Sequence, residues 1–88
     1  MLKPIFHKQF KREVELAKKR GKNIKKLKDI INLLLEEEML PAKNRNHKLK
    51  GEFKTYWECH IESDWLLIYK KTDKEIVFVR TGSHVDLF

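Results

Sequence analysis

The chain has 88 residues, 41% of them hydrophobic and 38% charged, and Lys and Arg outnumber Asp and Glu by 20 to 13 for a formal charge of +7. That length holds one domain with one modest core, and that apolar content excludes a wholly disordered chain. The positive excess points to a polyanionic partner (nucleic acid, an acidic protein or an anionic surface), while no apolar run approaches the ~20 residues that a membrane span needs.

Leu2 to Phe6 contains Pro4 and reads as an edge strand at best. Charge interrupts Met1 to His7 at once, so no signal-peptide core is expected there. The single cysteine, Cys59, has no internal partner, which points to a soluble domain of the reducing cytoplasm. Phe6, Phe10, Val14 and Ala17 recur at spacings of four, four and three, predicting an amphipathic helix with Lys8, Lys11, Arg12, Glu15, Lys18 and Lys19 toward water. Arg20-Gly21 is its expected stop. Asn23 is placed to cap a second helix with the stripe Ile24, Leu27, Ile31 and Leu34, widened by Ile30, Leu33 and Leu35. Pro41 bars continuation past Leu40, and the short join makes the two a helical hairpin.

From Pro41 to Lys54 the chain becomes a basic loop in which Leu49 and Phe53 are the large apolar anchors. Three strands follow. In Tyr56 to Ile61, Trp57, Cys59 and Ile61 share one face while Tyr56, Glu58 and His60 share the other. Trp65 to Lys71 opens on five large apolar residues, as suits a strand buried on both faces, and Thr72-Asp73-Lys74 is a turn. Glu75 to Arg80 is the third strand, broken by Thr81-Gly82-Ser83, and His84 to Phe88 is a short tail. This order predicts an α+β domain with two N-terminal helices packed on one face of a small antiparallel sheet.

His60 and Asp64 bracket the bend between the first two of those strands, and a meander returns Arg80 to His84 toward the same bend. His60, Asp64, Arg80 and His84 are therefore expected to converge. Imidazoles suit proton transfer near neutral pH, so these histidines, with His47 in the basic loop, are candidate acid and base. The plain alternative is a set of unrelated surface histidines, since loops gather polar residues in any fold. A metal reading would take His47, His60, Asp64 and His84 as zinc-type donors, but their spacing matches no metal signature. Arg45, Lys48 and Lys50 beside His47, with Lys43 and Lys54, read as a phosphate-tracking stretch, whereas the basic run from Lys18 to Lys28 suits a solvated helix surface. Most aromatics belong in the core; Trp65, next to Asp64, and Phe88, in the tail, are placed to meet a substrate. Cys59 alternates with Trp57 and Ile61 and is expected to be buried filler.

Several of these segments, taken together, resemble one family. Leu40-Pro41, Asn46-His47-Lys48-Leu49-Lys50-Gly51, the run from Glu58 through Cys59-His60-Ile61 and Asp64-Trp65-Leu66-Leu67-Ile68 to Tyr69, and Arg80-Thr81-Gly82-Ser83-His84 to Phe88 are similar to the YafQ-like toxins of the RelE superfamily. The likeness covers nearly the whole chain and is densest from Leu40 onward. It implies a RelE-like microbial RNase fold and a ribosome-dependent mRNA endonuclease of a type II toxin–antitoxin system, cutting in the ribosomal A site. It implies silencing by a DinJ-like antitoxin, with operator DNA contacted only through that complex. It also implies that His47, His60, Asp64, His84 and Phe88 are the functional positions, supported by Glu58, Trp65 and Arg80. Asn46 departs from the aspartate that relatives commonly carry before the histidine, and the helix junction is unusually rich in lysine.

Cleavage of this kind needs no metal and no cofactor. The 2′-hydroxyl attacks the adjacent phosphate and leaves a 2′,3′-cyclic phosphate and a 5′-hydroxyl, which calls for a base, an acid and positive charge on the phosphorane. His60 or His47 is the expected base, with Asp64 orienting an imidazole or sharing that work. His84 is the expected acid, Arg80 the phosphate ligand and Phe88 the stacking ring, with Trp65, Glu58, Lys50 and Arg45 around the substrate. The competing function is a non-catalytic RNA- or ribosome-binding module, which accounts for the charge but leaves the histidine–aspartate grouping idle. A DNA-binding regulator fits poorly, because no helix offers a row of base-reading polar residues.

Overall fold

The structure, a computed structural model, describes residues 1–88 apart from the side chain of Phe53, so the anchor expected there lies outside the described residues. Strand β1 (Lys3–Phe6) leads into α1 (Lys8–Lys19) and α2 (Ile24–Leu35). Two short 3₁₀ turns, Ala42–Asn44 and Gly51–Phe53, flank β2 (His47–Lys48); then come β3 (Trp57–Glu62), β4 (Trp65–Lys71), β5 (Glu75–Gly82) and the short helix α3 (His84–Leu87). The sheet order is β1-β5-β4-β3-β2. The α+β expectation holds, and β2 to β5 are antiparallel, but β1 joins the edge parallel to β5. No tight turn links β1 to β5, so nothing in the connection forces them antiparallel, and Pro4 is tolerated because the strand has only one neighbour. Among the described residues no helix is long and apolar enough to cross a membrane.

Both helices end in the same way. Gly21 takes a left-handed φ of 79°, its N–H reaches the Lys18 carbonyl, and the next N–H, from Lys22, reaches Ala17, which satisfies the last free carbonyls of α1. In α2 the left-handed residue is Glu37, with its N–H on Leu34 and that of Glu38 on Leu33. The second helix therefore stops at Leu35, ahead of the limit set by Pro41, because a non-glycine residue supplies the cap. Asn23 caps the start of α2 as expected, accepting the Lys25 N–H at 3.1 Å. Phe6 does not extend the stripe of α1; it ends β1 and lays its ring 5.8 Å from Phe10 and 5.3 Å from Phe78.

The helices cover one face of the sheet. Phe10, Ala17, Leu27, Ile30 and Leu34 meet Cys59, Ile61, Trp65, Leu67, Tyr69, Ile76 and Phe78. The opposite face carries His47, Glu58, Ile68 and Arg80 in one cross-strand row and His60, Leu66 and Gly82 in the next. Arg80 belongs to that face only because of a bulge. Tyr69 pairs with Phe78 and Ile68 with Arg80, so Val79 is the extra residue and the alternation of β5 reverses beyond it. Arg80 turns to the open face and Thr81 to the core. The expected break at Thr81-Gly82 is thus absent: β5 continues through Gly82, and the tail becomes α3, capped reciprocally by Ser83 and Asp86.

Candidate active site

Asp64 and His84 form the centre of the candidate site. Asp64 sits in the tight β3–β4 turn, and one of its carboxylate oxygens receives both the backbone N–H of His84, at 3.0 Å, and the His84 ring Nδ1, at 2.6 Å. These two contacts, the backbone one first, hold the Asp64 carboxyl below its usual range, so it stays ionised at neutral pH. An ionised carboxylate only accepts, so Nδ1 of His84 carries a proton and Nε2 is left facing outward. α3 brings His84 there because Gly82 lets it approach β5: a Cβ at Gly82 would lie 3.0 Å from the Cβ of Asp86 and 3.1 Å from its Oδ2.

The His60 ring lies 5.8 Å from that of His84, inclined at 60°. On its other side, His60 Nε2 is 3.5 Å from Oε1 of Glu58, and His47 Nε2 approaches the same oxygen at 3.6 Å. Glu58 is buried and is shared by the two imidazoles as an electrostatic partner. His47 Nδ1 is 2.6 Å from the Arg45 carbonyl, which only accepts, so this nitrogen also carries the proton and Nε2 faces the carboxylate. Arg45 presents that carbonyl from a left-handed backbone, φ 45°. Asn44 donates to the His60 carbonyl at 2.7 Å, and Asn46 accepts from the Tyr69 hydroxyl at 2.6 Å, tying the loop to the sheet on either side of Arg45. Asn46, the departure from the family pattern, is thus a structural anchor here. The side chain of His47 is 49% exposed and that of His60 11%, so His47 is the more open of the pair.

The expected convergence holds for His60, Asp64 and His84, with His47 and Glu58 adjoining. Arg80 is more constrained than expected. It lines a cavity of about 300 Å³ with Asp64 and Arg20, but its guanidinium grips the Glu13 carboxylate, Nη2 to Oε2 at 2.7 Å and Nε to the two oxygens at 3.0 and 2.9 Å. Trp65 needs a correction: at 1% exposure it is out of a substrate's reach, and its indole N–H donates to Thr81 Oγ1 at 3.0 Å from the core side. It supports the bend from beneath. Phe88 is 61% exposed just past α3, while Lys50 and Arg45 are exposed beside β2. A second cavity, about 610 Å³, is lined by His60, Asn44, Arg45, Lys26, Lys43 and Ser63. Among the described residues no three His, Cys, Asp or Glu side chains gather as metal ligands.

Glu13 escaped the sequence reading. It lies three residues after Phe10 and four before Ala17, on the apolar stripe of α1, and a carboxylate in that position was the available signal. Besides gripping Arg80 it accepts the Thr81 N–H at 3.1 Å, where β5 runs on beyond the end of β1 and its edge would otherwise be unpaired. Thr81 is the other omission; its hydroxyl receives the Trp65 indole and donates to the Leu66 carbonyl at 2.7 Å.

Comparison with known proteins agrees with this geometry. The family model described as "Bacterial toxin of type II toxin-antitoxin system, YafQ" matches residues 2–88. The mRNA interferase toxin YafQ of Escherichia coli strain K12 is 47% identical over 81 residues, spanning 91% of this chain and 88% of that protein. The crystal structure of YafQ from Escherichia coli BL21(DE3) superposes with a TM-score of 0.94 at 42% identity, covering 100% of this chain and 99% of that one. The toxin in the Escherichia coli DinJ–YafQ toxin–antitoxin complex gives 0.92 at 43% identity, covering 99% and 97%. The chain belongs to the YafQ family of type II toxin–antitoxin toxins.

Proposed function

We infer that this chain is an endoribonuclease that inactivates messenger RNA, the activity named for its 47%-identical relative, and that it cuts by proton transfer between histidines. The observation that carries this reading is the gathering of groups along one rim: His84 oriented by Asp64, His60 with its ring 5.8 Å away, and His47 sharing Glu58 with His60. In the reaction we favour, a base takes the proton of the ribose 2′-hydroxyl as that oxygen attacks the adjacent phosphorus. The P–O5′ bond breaks, and an acid gives a proton to the departing 5′-oxygen.

His84 is assigned as acid, because its outward Nε2 is free while Asp64 holds Nδ1 and stabilises the charged ring. His47 is assigned to the 2′-oxygen: it is the more exposed imidazole on Glu58, and its Nε2 is the unprotonated nitrogen when the ring is neutral. His60, between them, lines the phosphate side and keeps Glu58 oriented. Arg80, fixed by Glu13, contributes positive potential rather than a mobile clamp, and Phe88 offers a ring for a substrate base. The working substrate is message on the ribosome, the location is the cytoplasm, and the regulator is a DinJ-like antitoxin, through which operator DNA is reached. The +7 chain suits acidic antitoxin segments laid over its basic face.

The test is cleavage of message on purified ribosomes, with the new ends mapped chemically. Cyclic phosphate and 5′-hydroxyl ends from the parent, with strong loss in His84→Ala, are expected. Undiminished cutting by His84→Ala removes the acid assignment. Ribosome binding without any cut by the parent would leave the non-catalytic RNA-binding reading in its place.

A further inference from the structure

The site face does not end at Glu58. Trp57 pairs with Tyr69 across β3 and β4, so the next position on the open face is Tyr56 beside Lys70, and Lys70 in turn pairs with Val77. The Lys70 ammonium lies 4.7 Å from the centre of the Tyr56 ring. On the reverse side of the same end, Trp57 stacks on Tyr69, and the ammonium groups of Lys48 and Lys71 lie 5.8 and 5.9 Å from its ring. Among the described residues none of these three lysines forms an ion pair with a carboxylate. One end of the sheet thus presents aromatic rings flanked by uncompensated cations, and none of these groups belongs to the machinery around His84.

Rings beside lysines are the chemistry of single-stranded RNA binding: a base stacks on the ring and the cation meets the adjoining phosphate. The sheet supplies the direction. Tyr56 lies two residues before Glu58, just ahead of β3, about 7 Å away at the rise of extended chain and close to one extended nucleotide. Resting on the assignment above, His84 stands at the leaving 5′-oxygen and His47 with Glu58 at the 2′-oxygen. A chain crossing the face in that sense reaches Tyr56 on the 5′ side of the scissile phosphate.

We propose that Tyr56 and Lys70 form a subsite for the message nucleotide immediately 5′ of the cleaved step, with the base on Tyr56 and its phosphate at Lys70. The full-length toxin is to be bound to ribosomes carrying message whose scissile nucleotide is 2′-O-methylated, which removes the nucleophile and keeps the strand intact. A photoreactive 4-thiouridine is placed on the 5′ or the 3′ side. Crosslinking of the Tyr56 peptide from the 5′ label is expected. Crosslinking there only from the 3′ label, only to ribosomal RNA, or not at all overturns the proposal.

Kinetics give a second reading that does not depend on crosslink chemistry. Tyr56→Ala should raise the toxin concentration for half-maximal single-turnover cutting about tenfold, within the range measured for loss of one stacked base. The maximal rate should be unchanged, and Tyr56→Phe, which keeps the ring, should hold the parent's half-maximal concentration. An abasic 5′ nucleotide should penalise the parent by a similar factor and Tyr56→Ala hardly at all. Equal penalties for both proteins would refute the subsite. Products without cyclic phosphate ends would instead refute the acid–base reading, whatever Tyr56 does.

Discussion

Glu13 and Arg80 meet at the edge of the sheet as a fork on a carboxylate, with Glu13 only 8% exposed and Arg80 35% exposed. Three guanidinium contacts and the Thr81 N–H converge on the two oxygens, so one side chain of α1 fixes a site-face cation in place and closes the strand edge. The carboxylate also raises the already high pKa of the guanidinium, so Arg80 remains charged at every working pH. Removing Glu13 leaves the Thr81 N–H without a partner and a half-buried cation with only the Asp86 carbonyl, 3.4 Å from Nη2. Fully buried pairs lose 3–5 kcal/mol in such a change, and the solvent open to Arg80 lowers the expectation to about 2 kcal/mol for Glu13→Ala. Urea unfolding measures it; a variant within 0.5 kcal/mol of the parent contradicts the edge-sealing role.

Asp64 and His84 carry the most direct test of the chemistry. His84→Gln keeps a polar side chain but no proton-transfer group, and single-turnover cutting should fall about 10²–10⁴-fold with little change in affinity. Asp64→Asn keeps the shape while its amide can no longer guarantee the ring's orientation. It should cut more slowly than the parent and faster than His84→Gln. An Asp64→Asn enzyme indistinguishable from the parent means the carboxylate is a cap for α3 and nothing more.

Most of this arrangement was legible because local signals agreed with the global fold. The stripe of α2 and the alternation of Trp57, Cys59 and Ile61 follow from periodicity, and the cap at Asn23 and the stop at Gly21 from the chemistry of helix ends. What escaped depended on partners distant in sequence. β1 pairs with β5, 72 residues away at the Lys3–Glu75 register, and no local pattern reports direction. The bulge at Val79 reverses which side chain of Arg80-Thr81 faces the core, and no composition cue marks it. Trp65 looked like a substrate ring because Asp64 precedes it, yet the strand's alternation, read from Leu67 and Tyr69, already placed it in the core. Glu13 lies on the apolar stripe of α1, and only Arg80, distant in sequence, explains a carboxylate there.

Acid should loosen α3 before it unfolds the helices. Asp86 is held at about 2, first by the Arg20 guanidinium at 2.8 Å and then by the backbone and hydroxyl of Ser83, and Asp64 is lowered as well. In the unfolded chain both return to the ordinary aspartate value, near 3.8. The unfolded state therefore takes up these protons first as pH falls. The stabilisation is complete above about pH 4 and is lost progressively as pH falls toward the folded values. Asp86→Asn should flatten that part of the stability curve. An acid limb as steep as the parent's means the pairing with Arg20 contributes nothing to folding.

Cys59 should be chemically silent. It lies on the core face of β3 with no exposed surface, and burial first, then the neighbouring Glu58 carboxylate, push its thiol up to about 12. A thiol reagent at pH 8 should leave the native protein unmodified and label it fully in denaturant. Rapid labelling of the folded chain, at a rate independent of urea below the transition, contradicts this packing.

Gly82→Ala should separate activity from folding. The added methyl would press on the Cβ and carboxylate of Asp86 and lie 3.4 Å from Leu87, so α3 must shift away from β5, while the core beneath is untouched. Overpacking of this kind costs about 1–3 kcal/mol when the surroundings are rigid, and a short terminal helix gives way more readily, so the loss should sit near the lower figure. His84 is carried on that helix, and a displacement of about 1 Å at a proton-transfer group can cost 10²-fold in rate. Cutting should therefore fall about a hundredfold in a protein that stays folded and loses only about 1 kcal/mol of unfolding free energy, and the amide of His84 should lose its protection from hydrogen exchange as it leaves Asp64. Full activity in Gly82→Ala would show that α3 need not be seated on β5 for the reaction, and the positioning argument for His84 would fail with it.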